Sequence, residues 1–407
     1  MLAGPCATPA EARAIAAQPV AFFPKDGPLP PGGLPIIHRD NALTGLASYG
    51  NDTYDGMTSP LETTPPQIEG IQFLRAVAAL MVVAHHARHF CPQAVEWSSF
   101  GSRGVDIFFV ISGFVMAHST RAYRPQANRS LQAAVFLLKR VIRVAPLYWL
   151  ALLWTSKRVI LNGATGWDPV RDVLFVPHFH REYLDAIFPF LVPGWTINYE
   201  MFFYALFALS MLFGDFRFRF MALTLSGLVL LGGLGWQSAP MIFYTSTVII
   251  EFLFGIAVYF AIARYELQWS RLTLLAVTLA GFLLLAIDNG DSSRGYADGP
   301  FAALIVWSTV QWSRGLKLAW LHALGDASYA IYLFHLSSFW LAATLLHRAG
   351  VAVPTPINVG LAMCLHLMVA IATGLVIHHL VEKPMLAFLK RRFVPSFRAN
   401  LPSVETD

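Results

Sequence analysis

Ten apolar segments follow one another through most of this 407-residue chain, near 72–90, 104–120, 134–156, 195–213, 219–235, 241–262, 270–287, 299–313, 327–347 and 357–381. About 20 apolar residues cross the hydrocarbon core of a bilayer as a helix. In lipid, only helices and closed barrels satisfy every backbone polar group. The chain is 56% hydrophobic and 13% charged, whereas a soluble domain is roughly a quarter charged. The pattern predicts an all-α polytopic membrane protein with about ten transmembrane helices. The 31 Phe and 11 Trp suit lipid-facing and interfacial surfaces.

Residues 1–67 stand apart. They hold 11 of the 25 prolines, many glycines and no sustained helical period. Such a segment cannot bury enough apolar surface to fold. A disordered N-terminal extension is therefore expected at 1–67, a membrane domain at 68–392 and a short tail at 393–407. No basic stretch leads into an apolar core at the start, so no signal peptide is expected. Translation from Met57 is the alternative, leaving a short leader. Because the chain ends soon after the tenth segment, no appended extracytoplasmic esterase-type domain is expected.

An even number of spans puts both termini on one side. The larger share of the 29 Lys and Arg lies in the loops of that side, at 121–143, 214–219, 264–271, 314–317 and 383–398. The positive-inside rule makes that side the cytoplasm. Topology thus explains the net charge of +5, and no nucleic-acid partner is implied; membrane lipid surrounds the chain. The longest loop on the other face, 157–194, is the natural contact for an extracytoplasmic acceptor.

Within the first span, Arg75 and His86 break the apolar run. Eleven residues at about 100° each bring them within roughly 20° of one face. At about 1.5 Å per residue they differ in depth by roughly 16 Å. Ionisable groups inside a span mark a substrate or ion path. An anion binder at one end and a titratable base deeper in suit an enzyme that uses an anionic donor. The alternatives are a snorkelling arginine and a histidine bonded to a neighbouring helix.

Soluble-enzyme motifs are missing: there is no Walker sequence, GxSxG, HExxH or GxGxxG. Cys6, Cys91 and Cys364 are scattered, with neither a disulfide framework nor metal spacing. Asp168 and Asp172 read as solvated loop charges. His178 and His180 flank Phe179, but two ligands alone do not make a metal site, and no metal is expected.

Six blocks occur in order: IQFLRAVAALMVVAHHARHF, GSRGVDIFFVISGFVMAHST, FLLKRVIRVAPLYWLALL, PGWTINYEMFFYALF, LGDASYAIYLFHL and VEKPM. Together they resemble the acyltransferase 3 family of integral membrane O-acyltransferases, and within it the exopolysaccharide-production acetyltransferases. The likeness covers about residues 68–392. It implies a bacterial inner-membrane enzyme with both termini cytoplasmic and acetyl-CoA as the acyl donor. The implied acceptor is a hydroxyl of an exopolysaccharide or its lipid-linked oligosaccharide precursor, with a polysaccharide-assembly complex as a partner. Arg75 and His86 match the family's first-span pair, and His85 faces about 100° away. Gly104, Val105, Asp106, Phe108 and Phe109 match its second block, followed by Ser112, Gly113 and Phe114. Lys139, Arg140, Arg143 and Pro146 match its basic signature, with lysine where many relatives have arginine. Trp195 and Glu200, then Ser328, Tyr329, Tyr332 and His335, then Glu382 and Pro384, match the remaining blocks.

Acyl transfer needs a base for the hydroxyl proton, cations for a polyanionic donor, and donors for the developing oxyanion. His86 is the candidate base, since histidine titrates near neutral pH. It could equally form a transient acyl-imidazole. Asp106 or Glu200 could orient its ring, as a carboxylate does in a triad. Arg140 and Arg143, three apart at the start of the third span, suit bidentate phosphate binding, although plain positive-inside anchoring also accounts for them. With Arg75 they form the expected donor site. Trp195, Tyr332 and His335 are the candidate acceptor contacts. Ser328 reads as a helix–helix hydrogen bond, Tyr329 as packing, and Pro146 and Pro384 as shaping helix ends. Two other function classes fit a buried polar path: a transporter of a lipid-linked saccharide, though no inverted repeat is seen, and a non-catalytic export scaffold. A succinyl or longer acyl group is the alternative within the enzyme reading.

Overall fold

The computed structural model describes residues 68–88, 99–121, 128–161, 168–180, 186–265, 269–287, 294–350 and 356–394. The expectations for 1–67, for Cys6 and Cys91 and for most of the tail lie outside these residues. Ten long helices account for most of the described chain: α1 (Glu69–Ala87), α2 (Gly104–Ser119), α3 (Arg129–Leu161), α4 (Gly194–Met211), α5 (Arg217–Leu231), α6 (Glu251–Arg264), α7 (Arg271–Ile287), α8 (Arg294–Trp312), α9 (Ala319–Arg348) and α10 (Pro356–Ile377). A five-residue π turn, His378–Glu382, then leads into α11 (Lys383–Phe393). Among the described residues, β pairing is limited to the isolated bridge Phe179–Ile187.

Each apolar segment of the sequence coincides with a helix. Six helical stretches among the described residues are long and apolar enough to cross a bilayer: Glu69–Ala87, Phe100–Ser119, Gly214–Leu234, Ala239–Arg264, Ala319–Arg348 and Asn358–Phe393. In the other segments polar residues dilute the apolar run: Arg140 and Arg143 in α3, Asn198 and Glu200 in α4, Arg294 and Asp298 in α8. α7 is apolar but shorter.

At the centre lies α2, apolar on every side and therefore an interior helix. Ile107, Phe109, Val110 and Phe114 are all buried there. α1, α6 and α8 pack around it, α9 joins α1 to α10, and α3 pairs with α4. α5 and α7 form the periphery, with Leu223, Leu230, Leu272 and Leu283 exposed, as lipid-facing side chains are. The α2–α6 contact depends on small residues. A Cβ on Gly113 would meet the Phe252 carbonyl oxygen at 2.1 Å, and one on Gly255 would meet that of Val110 at 2.0 Å. Small residues allow this backbone approach inside a membrane.

Two sequence expectations change. Pro146 sits inside the 33-residue α3 rather than at its end, where it removes one backbone donor mid-helix. Arg140 and Arg143 lie in the turns just before it, not at the helix start. Pro384, by contrast, occupies the first turn of α11, where its missing N–H is harmless.

Gly255→Val should force α2 and α6 apart at a cost of about 1–3 kcal/mol. The expected result is a clear fall in melting temperature in detergent, whereas Gly227→Ala, with nothing within 4 Å of its Cβ position, should melt like wild type.

Candidate active site

A cavity of about 310 Å³ lies between α1, α2, α3, α4 and α9. Gln72 and Arg75 reach it from α1, Ser112 and Ser119 from α2, and Arg140 and Arg143 from α3. Glu200 and Tyr204 come from α4, and Ser328, Tyr329 and Tyr332 from α9. The close approach of α1 to α9 helps bring these side chains together. A Cβ on Gly325 of α9 would sit 2.3 Å from the Gln72 carbonyl oxygen.

The three arginines differ in their partners. Arg143 donates to the fully buried Glu382 at 2.5 Å, and Nδ1 of His378 lies 2.7 Å from the other Glu382 oxygen. The π turn thus sets Glu382 between His378 and the Arg143 guanidinium, and such turns frequently occur at functional sites. Arg140 donates to Ser119 Oγ at 3.2 Å and lies over the rings of Phe136 and Tyr204. Arg75 donates to Gln72 Oε1 at 3.4 Å. Among the described residues neither Arg75 nor Arg140 forms an ion pair. Glu200, the carboxylate lining the cavity, accepts from Tyr204 Oη and from Ser112 Oγ, the latter at 3.2 Å. The cavity wall is therefore net positive, as a site for a polyanion must be.

A histidine pair adjoins Tyr332, outside the residues that line the cavity. Tyr332 Oη bonds Thr196 Oγ1 at 2.7 Å and donates to the Pro193 carbonyl at 2.9 Å. Its ring centre is 6.1 Å from that of His335, which is 4.9 Å from that of His86. The His85 ring is 5.1 Å from His86. Nδ1 of His86 lies 3.0 Å from the Val82 carbonyl, and Nδ1 of His335 lies 2.6 Å from the Tyr332 carbonyl. A carbonyl only accepts, so each Nδ1 donates its proton to that carbonyl, and in a neutral ring so held the basic nitrogen is Nε2.

Asp106 and Trp195 belong to a separate charge cluster. Arg294 holds Asp106 through two bonds of 2.8 and 2.7 Å and lies over the Trp195 ring. Arg103 pairs with the buried Asp298 at 2.7 Å, and Glu251 is buried in the same region. Thus Arg75, Arg140, Arg143, Glu200 and Tyr332 share one cavity, His86 and His335 form a neighbouring pair, and Asp106 and Trp195 gather around Arg294. Neither carboxylate proposed to orient His86 bonds it; Asp106 faces Arg294, and Glu200 faces Tyr204 and Ser112.

Other residues depart from their sequence reading. Among the described residues the buried Ser328 Oγ has no hydrogen-bond partner, where a helix–helix bond was expected. Tyr329 does more than pack, donating to the Val144 carbonyl at 2.8 Å. Asp172 is 1% exposed rather than solvated; it accepts from the Phe190 N–H and faces His178 at 3.6 Å. Asp168 caps the short helix Pro169–Val173. Among the described residues no group of three His, Cys, Asp or Glu is arranged to hold a metal. Sequence reasoning passed over Glu251 and Arg294. The rule that singled out Arg75 flags Glu251 too, since it lies inside the sixth apolar segment. Tyr204 and Gln72 gave no such signal.

The sequence profile of the acyltransferase domain Acyl_transf_3 matches residues 68–375. The chain belongs to the acyltransferase 3 family. It is 32% identical over 325 residues to the exopolysaccharide production protein ExoZ of Rhizobium meliloti (strain 1021), covering 73% of this chain and 93% of that protein. It is 24% identical to O-acetyltransferase OatA of Staphylococcus aureus (strain NCTC 8325 / PS 47), over 70% of this chain and 52% of that one. To the putative peptidoglycan O-acetyltransferase YrhL of Bacillus subtilis (strain 168) it is 25% identical, over 78% and 55%. The match thus spans about half the length of the latter two. No solved structure matches. The protein is an O-acyltransferase of this family.

Removing one partner of a buried ion pair leaves the other charge unpaired, at about 3–5 kcal/mol. Arg294→Met should therefore lower the melting temperature of the solubilised protein sharply, whereas Lys139→Ala, on an exposed position, should leave it within a degree or so.

Proposed function

We propose that the protein transfers an acetyl group from acetyl-CoA to a hydroxyl of an exopolysaccharide or of its lipid-linked precursor. The observation that carries this reading is the convergence of Arg75, Arg140 and Arg143 on one cavity, two of them without a carboxylate partner among the described residues. Coenzyme A bears three phosphate groups, and guanidinium groups bind phosphate bidentately. The family supplies the reaction class, and the relative named as an exopolysaccharide production protein supports the choice of acceptor. In this reading all ten long helices cross a bacterial inner membrane, with both termini cytoplasmic and 68–392 as the catalytic membrane domain. The arginine cavity then faces the cytoplasmic supply of acetyl-CoA.

The donor's phosphates rest on the arginines, and its thioester arm runs past Tyr332 toward His86. The hydrogen bond from His86 Nδ1 to the Val82 carbonyl fixes the ring and leaves Nε2 to work on the acyl group. Glu200, held by Tyr204 and Ser112, keeps part of the cavity wall polar. Trp195 offers a flat face for a sugar on the side of the bundle marked by Arg294, where the acceptor enters.

The test is the acetyl content of the cell's exopolysaccharide by proton NMR, in wild type, a deletion strain, and the deletion strain expressing His86→Ala at matched membrane levels. Acetyl should vanish in the deletion and in His86→Ala while polymer persists. A deletion that abolishes polymer, rescued to fully acetylated polymer by His86→Ala, would show transport or assembly in place of catalysis.

A further inference from the structure

His335 is fully buried in α9, its Nδ1 is committed to the Tyr332 carbonyl, and among the described residues its Nε2 has no hydrogen-bond partner. A buried acceptor left unsatisfied destabilises a fold, and where one persists it calls for an explanation, a catalytic role among them. Its neighbour is His86, ring centre to ring centre 4.9 Å. Both imidazoles are fixed in the same way, each Nδ1 against a carbonyl of its own helix. Two rings therefore present basic Nε2 atoms within one site, although taking a single hydroxyl proton needs only one of them.

We propose that the pair divides the reaction: Nε2 of His86 carries the acyl group, and Nε2 of His335 takes the proton of the acceptor hydroxyl. This rests on the function proposed above. In the first step the His86 Nε2 lone pair attacks the thioester carbonyl carbon. The N–C bond forms, the C–S bond breaks, and coenzyme A leaves as the thiolate with that electron pair. His86 becomes an acyl-imidazolium whose Nδ1–H stays on the Val82 carbonyl. In the second step the acceptor oxygen attacks the acyl carbon while its proton passes to His335 Nε2. The C–N electrons return to His86, the ester leaves, and His335 then releases its proton to solvent, from which the departed thiolate takes one. The balance is acyl-CoA plus alcohol giving ester plus CoA thiol. The division of labour suits the placement of the pair, since the donor can depart on the cavity side before the acceptor is attacked.

The two steps separate experimentally. Detergent-solubilised full-length protein is mixed with acetyl-CoA and isotopically labelled CoA, without acceptor, and label entering acetyl-CoA is followed. Polymer acetylation is measured in the deletion strain expressing the same variants. Wild type should exchange label. His335→Gln should exchange within about threefold of wild type while polymer acetylation falls at least about a hundredfold, the usual scale for loss of a general base. His335→Asn serves the same purpose if the glutamine variant does not accumulate. A variant that loses both activities in parallel, or keeps polymer acetylation, overturns the proposal. So does a wild type that acetylates polymer without exchanging label, which would leave the proposed function standing. A deletion strain whose polymer keeps its acetyl groups would instead remove the function itself.

Discussion

An arginine drawn into an apolar bundle loses hydration worth several kcal/mol; among the described residues Arg103 is buried, and Arg75, Arg140, Arg143 and Arg294 are half-buried between helices. Three of them meet carboxylates. Arg103 pairs with Asp298, Arg294 with Asp106, and Arg143 with Glu382. These pairs join segments far apart in sequence, with Arg143 and Glu382 separated by 239 residues, so they also fix which helices sit side by side. Among the described residues Arg75 hydrogen-bonds an amide and Arg140 a hydroxyl, and Arg140 also lies over two aromatic rings. Neither forms an ion pair among them, and both line the cavity. The proposed anionic donor would supply the missing counter-charge.

The arrangement along α1 follows from helix geometry. Arg75 and His86 share a face about three turns apart, so one helix presents an anion contact at the cavity and an imidazole beyond it. α9 runs alongside, its close approach permitted by Gly325, and places Ser328 and Tyr332 at the cavity and His335 against His86. The groups proposed to react thus sit on two tightly packed helices. Rigid elements hold catalytic geometry better than loops do.

Much of this was legible in the chain itself. The apolar segments, each matched by a helix, follow from residue composition, because lipid leaves the backbone no other economical form. Arg75, His86, Arg140 and Arg143 announced themselves as charges inside apolar runs. Their partners did not. Nothing in the spacing of Glu382 ties it to Arg143, and a one-dimensional pattern cannot show that Asp106 faces Arg294 across α2 and α8. Asp172 read as a surface charge because it lies in a polar stretch; its burial comes with the contacts that hold Val173 and Phe175 against α3 and Phe190 against Asp172 itself. Tyr204 is one aromatic among many, and only the fold shows that its hydroxyl reaches Glu200.

The central claim, that the under-neutralised cavity holds a coenzyme A donor, is tested most directly by equilibrium binding of CoA to the solubilised protein, wild type and Arg140→Gln. One lost charge-assisted contact of about 1.5–3 kcal/mol corresponds to roughly ten- to hundredfold in affinity. Saturable CoA binding that weakens by that factor in Arg140→Gln is the predicted result. No binding by wild type, or equal affinity in the variant, would contradict it.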